Sequence, residues 1–304
     1  MFKALVAAVV LLSALTATPA AADDDVPWSV STAANSFGSE RQNYSYTVNP
    51  GGQVEDGLMV VNRGRTPLEL AVYAADAYTT DNGRLDLLTP DTKSTGVGAW
   101  AHADRASVKV APGQSVQVPF TIDVPADAKP GDHLGGIVTS LKQGTDVDRR
   151  LAIRIQLRVS GDLQPGLSVD DLKVHYKGHS DATVTYTVRN TGNAILAARP
   201  STAVSGPFGK WRVESDQQAS PQLLPGESWK VSTDIHGVTP ALRVTGTVTL
   251  LPLLTDAAGS TGSLTPLTAT AHAWTTPWWL FLILTVVLVA VVLLVRRRRA
   301  KVAP

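Results

Sequence analysis

The chain has 304 residues, with 27 lysines and arginines against 26 aspartates and glutamates. A formal charge of +1 gives no strong field for nucleic acid, and four of the basic residues form one run, Arg296 to Arg299. The absence of cysteine excludes disulfides, thiol catalysis and thiolate metal sites, so any exported domain must rest on its hydrophobic core.

At the N-terminal end, Lys3 precedes an apolar stretch over residues 4–15. Small residues and an Ala20-x-Ala22 site follow, just before Asp23-Asp24-Asp25. This reads as a secretory signal peptide, residues 1–22, with an uncleaved anchor as the alternative. Strand signals bounded by turn residues then recur. Residues 44–48 stop at Asn49-Pro50-Gly51-Gly52, residues 57–62 stop at Arg63-Gly64, and residues 68–73 form a third run. Asp81-Asn82-Gly83 predicts a tight turn before a strand over 84–88. After Pro112-Gly113, the residues Val116, Val118, Phe120 and Ile122 alternate with Gln117, Pro119 and Thr121. Such alternation buries one face and wets the other, and Pro119 predicts an edge strand or a bulge. The clearest strand covers 151–159, with Leu151, Ile153, Ile155, Leu157 and Val159 on one face.

The second half repeats this order. Residues 182–189 alternate and break at Asn190-Thr191-Gly192-Asn193, as residues 60–64 do. Leu224-Pro225-Gly226-Glu227 echoes Val110-Ala111-Pro112-Gly113. Strands over 243–251 and 267–273 close the pattern. The expected fold class is all-β: two tandem Ig-like β-sandwiches, residues 23–161 and 162–276. Residues 278–295 supply about the 20 apolar residues that cross a bilayer, with Trp278 and Trp279 at one boundary and arginines at the other. A transmembrane helix over 277–295 and a basic cytoplasmic tail over 296–304 are expected. The chain would then be a single-pass type I protein of the cell membrane, touching lipid through that helix, with residues 23–277 outside.

Several pieces of the first half resemble the WxL protein peptidoglycan-binding domain family, the WxL-interacting cell-surface proteins of Gram-positive bacteria. They are Tyr46-x-Val48-x-Pro50-Gly51, Val60-x-Asn62, the Pro112-Gly113 turn, Val124-Pro125 and above all residues 130–138, Pro-Gly-Asp-His-Leu-Gly-Gly-Ile-Val. The resemblance covers roughly residues 28–159. It implies peptidoglycan binding through the first domain, protein partners through the second, and His133 as a ligand-contact candidate. Read physically, Gly135-Gly136 allows a bulge or a close backbone approach, for packing or for a shallow glycan groove.

Candidate binding groups follow from residue type and spacing. Arg150, Arg154 and Arg158 share one face of a period-2 strand, a cationic strip suited to anionic wall polymer. The competing explanation is a solvated strand face that resists edge aggregation. Trp100 is the tryptophan best placed to stack on a sugar, against the commoner core role. His175, His179 and Asp181 lack the four ligands zinc requires, so no metal and no cofactor is expected. No nucleophile elbow, metal-protease helix or phosphate loop occurs, and the acidic residues sit at turns. The expectation is a non-catalytic, membrane-anchored cell-surface protein that binds peptidoglycan or wall-associated proteins. The alternative is a membrane-anchored chaperone or sensor for exported proteins, acting by strand addition.

Overall fold

A computed structural model describes residues 26–80, 83–143, 147–255, 261–275 and 278–300. The expected signal peptide, the Asp81-Asn82 part of the predicted turn and residues 301–304 of the basic tail lie outside the described residues.

The first half folds as β1 (Trp28–Thr32), β2 (Tyr44–Val48), β3 (Gln53–Asn62), β4 (Leu68–Thr79) and β5 (Leu85–Leu87). A helical turn α1 (Val97–Trp100) follows, then β6 (Ala101–Ala103), β7 (Ser107–Val110), β8 (Ser115–Asp123), β9 (Gly131–Gln143) and β10 (Val147–Val159). One sheet has the order β1-β3-β8-β6. The other has β2-β10-β9-β4-β5, with β7 also paired to β4. Alternation does the work: β8 reads exposed and buried by turns, and Val118, Phe120 and Ile122 enter a core with Tyr44, Leu58, Leu70 and Ile155. After β1 pairs with β3, the chain crosses to the opposite sheet, where β2 lies parallel to the last five residues of β10.

The second half gives β11 (Leu167–Gly178), β12 (Asp181–Asn190), β13 (Leu196–Ser205), β14 (Val213–Asp216), β15 (Ser228–His236), β16 (Arg243–Thr255), β17 (Thr261–Ser263) and β18 (Leu267–Trp274). Its sheets are β11-β12-β15 and β14-β13-β16-β17, with β18 also on β16. They enclose a second cluster that includes Val184, Tyr186, Val188, Ile235, Val244 and Val248. The architecture is all-β, with Ig-like paired sheets.

Pro119 does not mark an edge, because β8 is flanked by β3 on one side and β6 on the other. The carbonyl of Pro119 accepts from the Asp104 amide at 3.0 Å. Its ring nitrogen therefore faces the same side, where β6 has already ended at Ala103, and no ladder donor is lost. Strand β4 runs six residues past the expected end at Tyr73, because residues 71–76 pair along β9. There Asp76 gathers the next loop, accepting from the amides of Thr95, Gly96 and Gly98 at 2.6, 2.8 and 2.7 Å.

The last element is α2 (Trp278–Ala300), 23 residues long. Its side chains are described for residues 281–297, and those of residues 281–295, all apolar but Thr285, are exposed on every side. Among the described residues no helix is long and apolar enough to cross a membrane.

Candidate functional site

The β9–β10 hairpin carries most of the residues singled out in the sequence. Strand β10 pairs with β9 along its whole length, Val147 opposite Gln143 and Val159 opposite Gly131. On its other side, β2 covers it only from Ile155 to Val159. Arg149 aside, residues 147–154 therefore present outward backbone N–H and C=O groups with no strand partner among the described residues. Along that open stretch, Ile153 is buried and Leu151 half-buried toward the core, while Arg150, Ala152 and Arg154 face outward.

The arginines do not form an open cationic strip. Arg158 forks onto Asp132, with Nε at 2.6 Å and Nη2 at 2.9 Å from the carboxylate oxygens. Asp132 is buried and also accepts from the Ile195 amide at 2.9 Å, so this pair belongs to the joint between the two sandwiches. Arg150 donates to the Leu87 carbonyl at 3.2 Å and lies 3.8 Å from Asp86. Burial raises the pKa of the Tyr73 hydroxyl, against the pull of the Arg150 guanidinium. Arg154 stands apart: its Nε is buried and makes no hydrogen bond. With the Asn43 amide oriented to satisfy both of its ends, the oxygen accepts from Arg154 Nη2 at 3.3 Å.

Arg154 lines a shallow cavity of about 240 Å³, with Ala77, Leu85, Asp86 and Leu87 from the β4–β5 hairpin and Leu134, Gly135 and Ala152 from β9 and β10. Two glycines shape this region. A Cβ on Gly136 would lie 2.8 Å from Leu87 Cδ1 and 2.9 Å from the Ile153 carbonyl, and one on Gly135 would lie 2.7 Å from the Ala75 carbonyl. Close packing accounts for the Gly135-Gly136 pair.

Trp100 and His133 are brought together, with ring centroids 4.7 Å apart. Trp100 is not an exposed platform; it is half-buried against the first core. The His133 Nε2 lies 3.1 Å from the Lys129 carbonyl. In register, His133 sits opposite Leu157 rather than opposite an arginine, so this aromatic pair and the arginines occupy different faces of the hairpin.

Sequence reasoning missed the joint itself. Besides the Asp132 contacts, the Asp132 amide donates to the Asn193 carbonyl at 2.7 Å, and Asn193 Nδ2 donates to the Pro130 carbonyl at 3.1 Å. Thr79 gives its amide and hydroxyl to the Glu227 carboxylate. Leu134, Ile195 and Leu224 form a small apolar cluster joined by Ala77 and Leu85. The signal was present in the Pro130-Gly131-Asp132 run. Gly131 has φ +131°, and a Cβ there would meet the Asn193 carbonyl at 2.3 Å.

No family model matches the chain, and no curated protein matches it. Solved structures do. The chain is similar to the CsuC–CsuE chaperone–tip adhesion subunit pre-assembly complex of archaic chaperone-usher Csu pili from Acinetobacter baumannii. Identity there is 11%, the match covers 79% of this chain and 97% of that chain, and the TM-score is 0.41. A chaperone–tip adhesin complex of CFA/I fimbriae biogenesis gives 8% identity, 83% and 100% coverage and a TM-score of 0.41. The E. coli chaperone DraB gives 12%, 80%, 98% and 0.34. The expected peptidoglycan-binding surface protein is corrected here. Of the arginines that were to meet the wall, Arg158 is forked onto Asp132 and Arg150 is bonded to the Leu87 carbonyl, both within the protein, and the solved structures named above are of fimbrial chaperones.

Proposed function

We propose that the chain is a non-catalytic, membrane-anchored protein that holds extended segments of exported polypeptides by adding them as a strand to β10. The observation that carries this reading is the half-covered edge, with β2 on Ile155 to Val159 and no strand on residues 147–154. An extended segment laid end to end with β2 would continue the ladder. Main-chain hydrogen bonds would supply affinity, and the alternating Leu151 and Ile153 surface would supply selectivity for apolar side chains at every second position. Arg150 and Arg154 beside the edge would oppose pairing between copies of the chain.

The anchor in this reading is α2. Its 23 residues span ~34 Å at ~1.5 Å per residue, against a hydrocarbon core of ~30 Å. Its one polar side chain in the apolar run, Thr285, donates to the Phe281 carbonyl at 2.7 Å, within the helix. Arg296 to Arg299 would mark the cytoplasmic side, leaving both sandwiches outside after removal of the signal peptide. Confinement at a surface raises the effective concentration of client and holder, so weak pairing at one edge is sufficient.

The test places a photoreactive side chain at Ala152 or, as a control, at Thr270 on the exposed face of β18. The full chain, in vesicles, is then offered an unfolded exported β-protein during refolding. Cross-linking at 152 but not at 270, with slower aggregation of the client, is the expected result. Equal labelling at both sites, or none, removes strand addition at β10.

A further inference from the structure

We infer that the end of the second sandwich nearest α2 is a bilayer-contact surface, with the loop 206–212 dipping into the headgroup layer. This rests on the anchoring role proposed for α2, and it adds a second, separate contact with the membrane. Strand register fixes the geometry. Ser205, the last residue of β13, is opposite Thr245, and Thr245 is opposite His272 on β18. The loop after β13 therefore leaves the sheet at the end where β18 finishes with Trp274 opposite Arg243. The Thr275 amide donates to the Leu242 carbonyl at 3.2 Å, holding the exit strand to the same end. From residue 275 to the start of α2 at Trp278 the chain can span only ~10 Å.

What that end presents is unusual for a solvated loop cluster. Phe208 is fully exposed, Trp274 is 81% exposed, and Trp211 and Leu242 are 55% and 53% exposed. Lys210 and Arg243 are exposed among them, and Arg212 pairs with Glu214 at 3.3 Å. The nearby acid, Asp181, is engaged by His236 at 2.8 Å. Aromatic side chains interleaved with cations suit the boundary of a bilayer, where rings enter the acyl edge and ammonium and guanidinium groups meet phosphates.

The loop is built to hold this shape. Phe208 and Trp211 have φ +58° and +52°, a conformation that bulky residues adopt only when their surroundings enforce it. Enforcement comes from the Gly206 amide bonded to the Lys210 carbonyl at 2.8 Å and the Lys210 amide bonded to the Pro207 carbonyl at 3.2 Å. The Trp211 ring also lies over Gly206, where a Cβ would sit 2.7 Å from Trp211 Cε3. The result directs Phe208 away from the protein. Its occupant, on charge and on the few residues that separate this end from α2, is the phospholipid surface around that helix.

The chain has no cysteine, which allows single-site labelling. The full chain carrying Phe208→Cys or, on the far end of the same sandwich, Ser263→Cys is labelled with bimane. It is reconstituted in phosphatidylcholine–phosphatidylglycerol vesicles containing shallow doxyl lipid. Bimane at 208 should be quenched several-fold more than at 263, and Lys210→Glu with Arg243→Glu should at least halve that quenching. Solvent-like emission at 208, in protein that resists alkaline extraction, overturns the contact while leaving the anchor intact. Extraction of the protein from the vesicles instead overturns the anchor and this inference with it. Quenching at 208 unchanged by the two charge reversals removes the role of the cations.

Discussion

Asn62 and Asn190 occupy equivalent positions in the two sandwiches and make the same set of bonds. Asn62 Nδ2 donates to the Thr66 and Val110 carbonyls, and its Oδ1 accepts from the Gly64 amide. Asn190 Nδ2 donates to the Ala194 and Leu223 carbonyls, and its Oδ1 accepts from the Gly192 amide. Both are fully buried. Both backbones are also tied to the Pro-Gly turn that follows later in the same half: Asn62 to Gln114 and Gly113, Asn190 to Glu227 and Gly226. Each asparagine thus closes a strand end and docks a distant turn onto it.

Replacing either asparagine by alanine should be costly. Two carbonyls and one amide lose their partner, at least one of the carbonyls in each case buried, for about 2–4 kcal/mol. The melting temperature should fall by roughly 5–15 °C in each variant. Asparagine to aspartate, which removes both donors but keeps the shape, should fall nearly as far. A change of a degree or two would show that the turns dock without these side chains.

This repeat was legible in the sequence because a strand ending in an asparagine–glycine turn and a later Pro-Gly turn are both short, local and chemically distinctive; the burial of the asparagines was not. Alternation likewise identified β8, β10 and β12, since a two-residue period survives without any knowledge of partners. Pairing was not legible. The parallel contact of β2 with β10, the second neighbour of β8, and hence the position of the open edge all depend on which strands lie side by side. The partners of the arginines were hidden for the same reason: Asp132 is 26 residues from Arg158, and Asp86 lies on another hairpin. The half-buried place of Trp100 was not legible either, because a four-residue helical turn leaves no periodic trace.

The joint between the sandwiches should yield to single substitutions. Asp132→Ala leaves the Arg158 fork without its carboxylate and the Ile195 amide without an acceptor. Arg158 keeps 29% of its side-chain surface in water, which softens the loss to about 2–3 kcal/mol. Glu227→Ala releases Thr79 on the opposite wall of the joint. Calorimetry on the double variant should resolve two transitions where the parent shows more overlap. A single unsplit transition would assign the coupling to the Leu134–Ile195–Leu224 cluster instead.

Acid stability should track Asp56. Burial alone would raise its pKa, but hydrogen bonds from Arg41, Tyr46 and the Gly57 amide outweigh that and hold the carboxyl below its usual range. In the unfolded chain the group titrates near pH ~4. Its stabilising contribution is therefore present above that pH and is lost as pH falls through the lower folded value, where the unfolded chain binds the extra proton. Denaturant midpoints should be flat from neutrality to pH ~5 and drop below pH ~4. Asp56→Asn should start lower yet lose the part of that slope due to this carboxyl, and an unchanged slope would assign acid sensitivity to other groups.

The open edge of β10 makes a prediction about amide exchange in the intact chain. Along residues 147–154, alternate amides point toward β9 and toward the uncovered side, whereas from Ile155 onward β2 also lies on the outer side. Outward amides of residues 147–154 should exchange orders of magnitude faster than those of residues 155–159, although both lie in one continuous strand. An extended peptide alternating valine and threonine should slow the first set and leave the second unchanged, because only the first has vacant ladder positions. Replacing Leu151 by lysine, which places a charge on the inward face beside the edge, should abolish that protection while the amides bonded to β9 stay slow. Uniform slow exchange along β10 without peptide would mean the edge is already covered, and strand addition there would have no site.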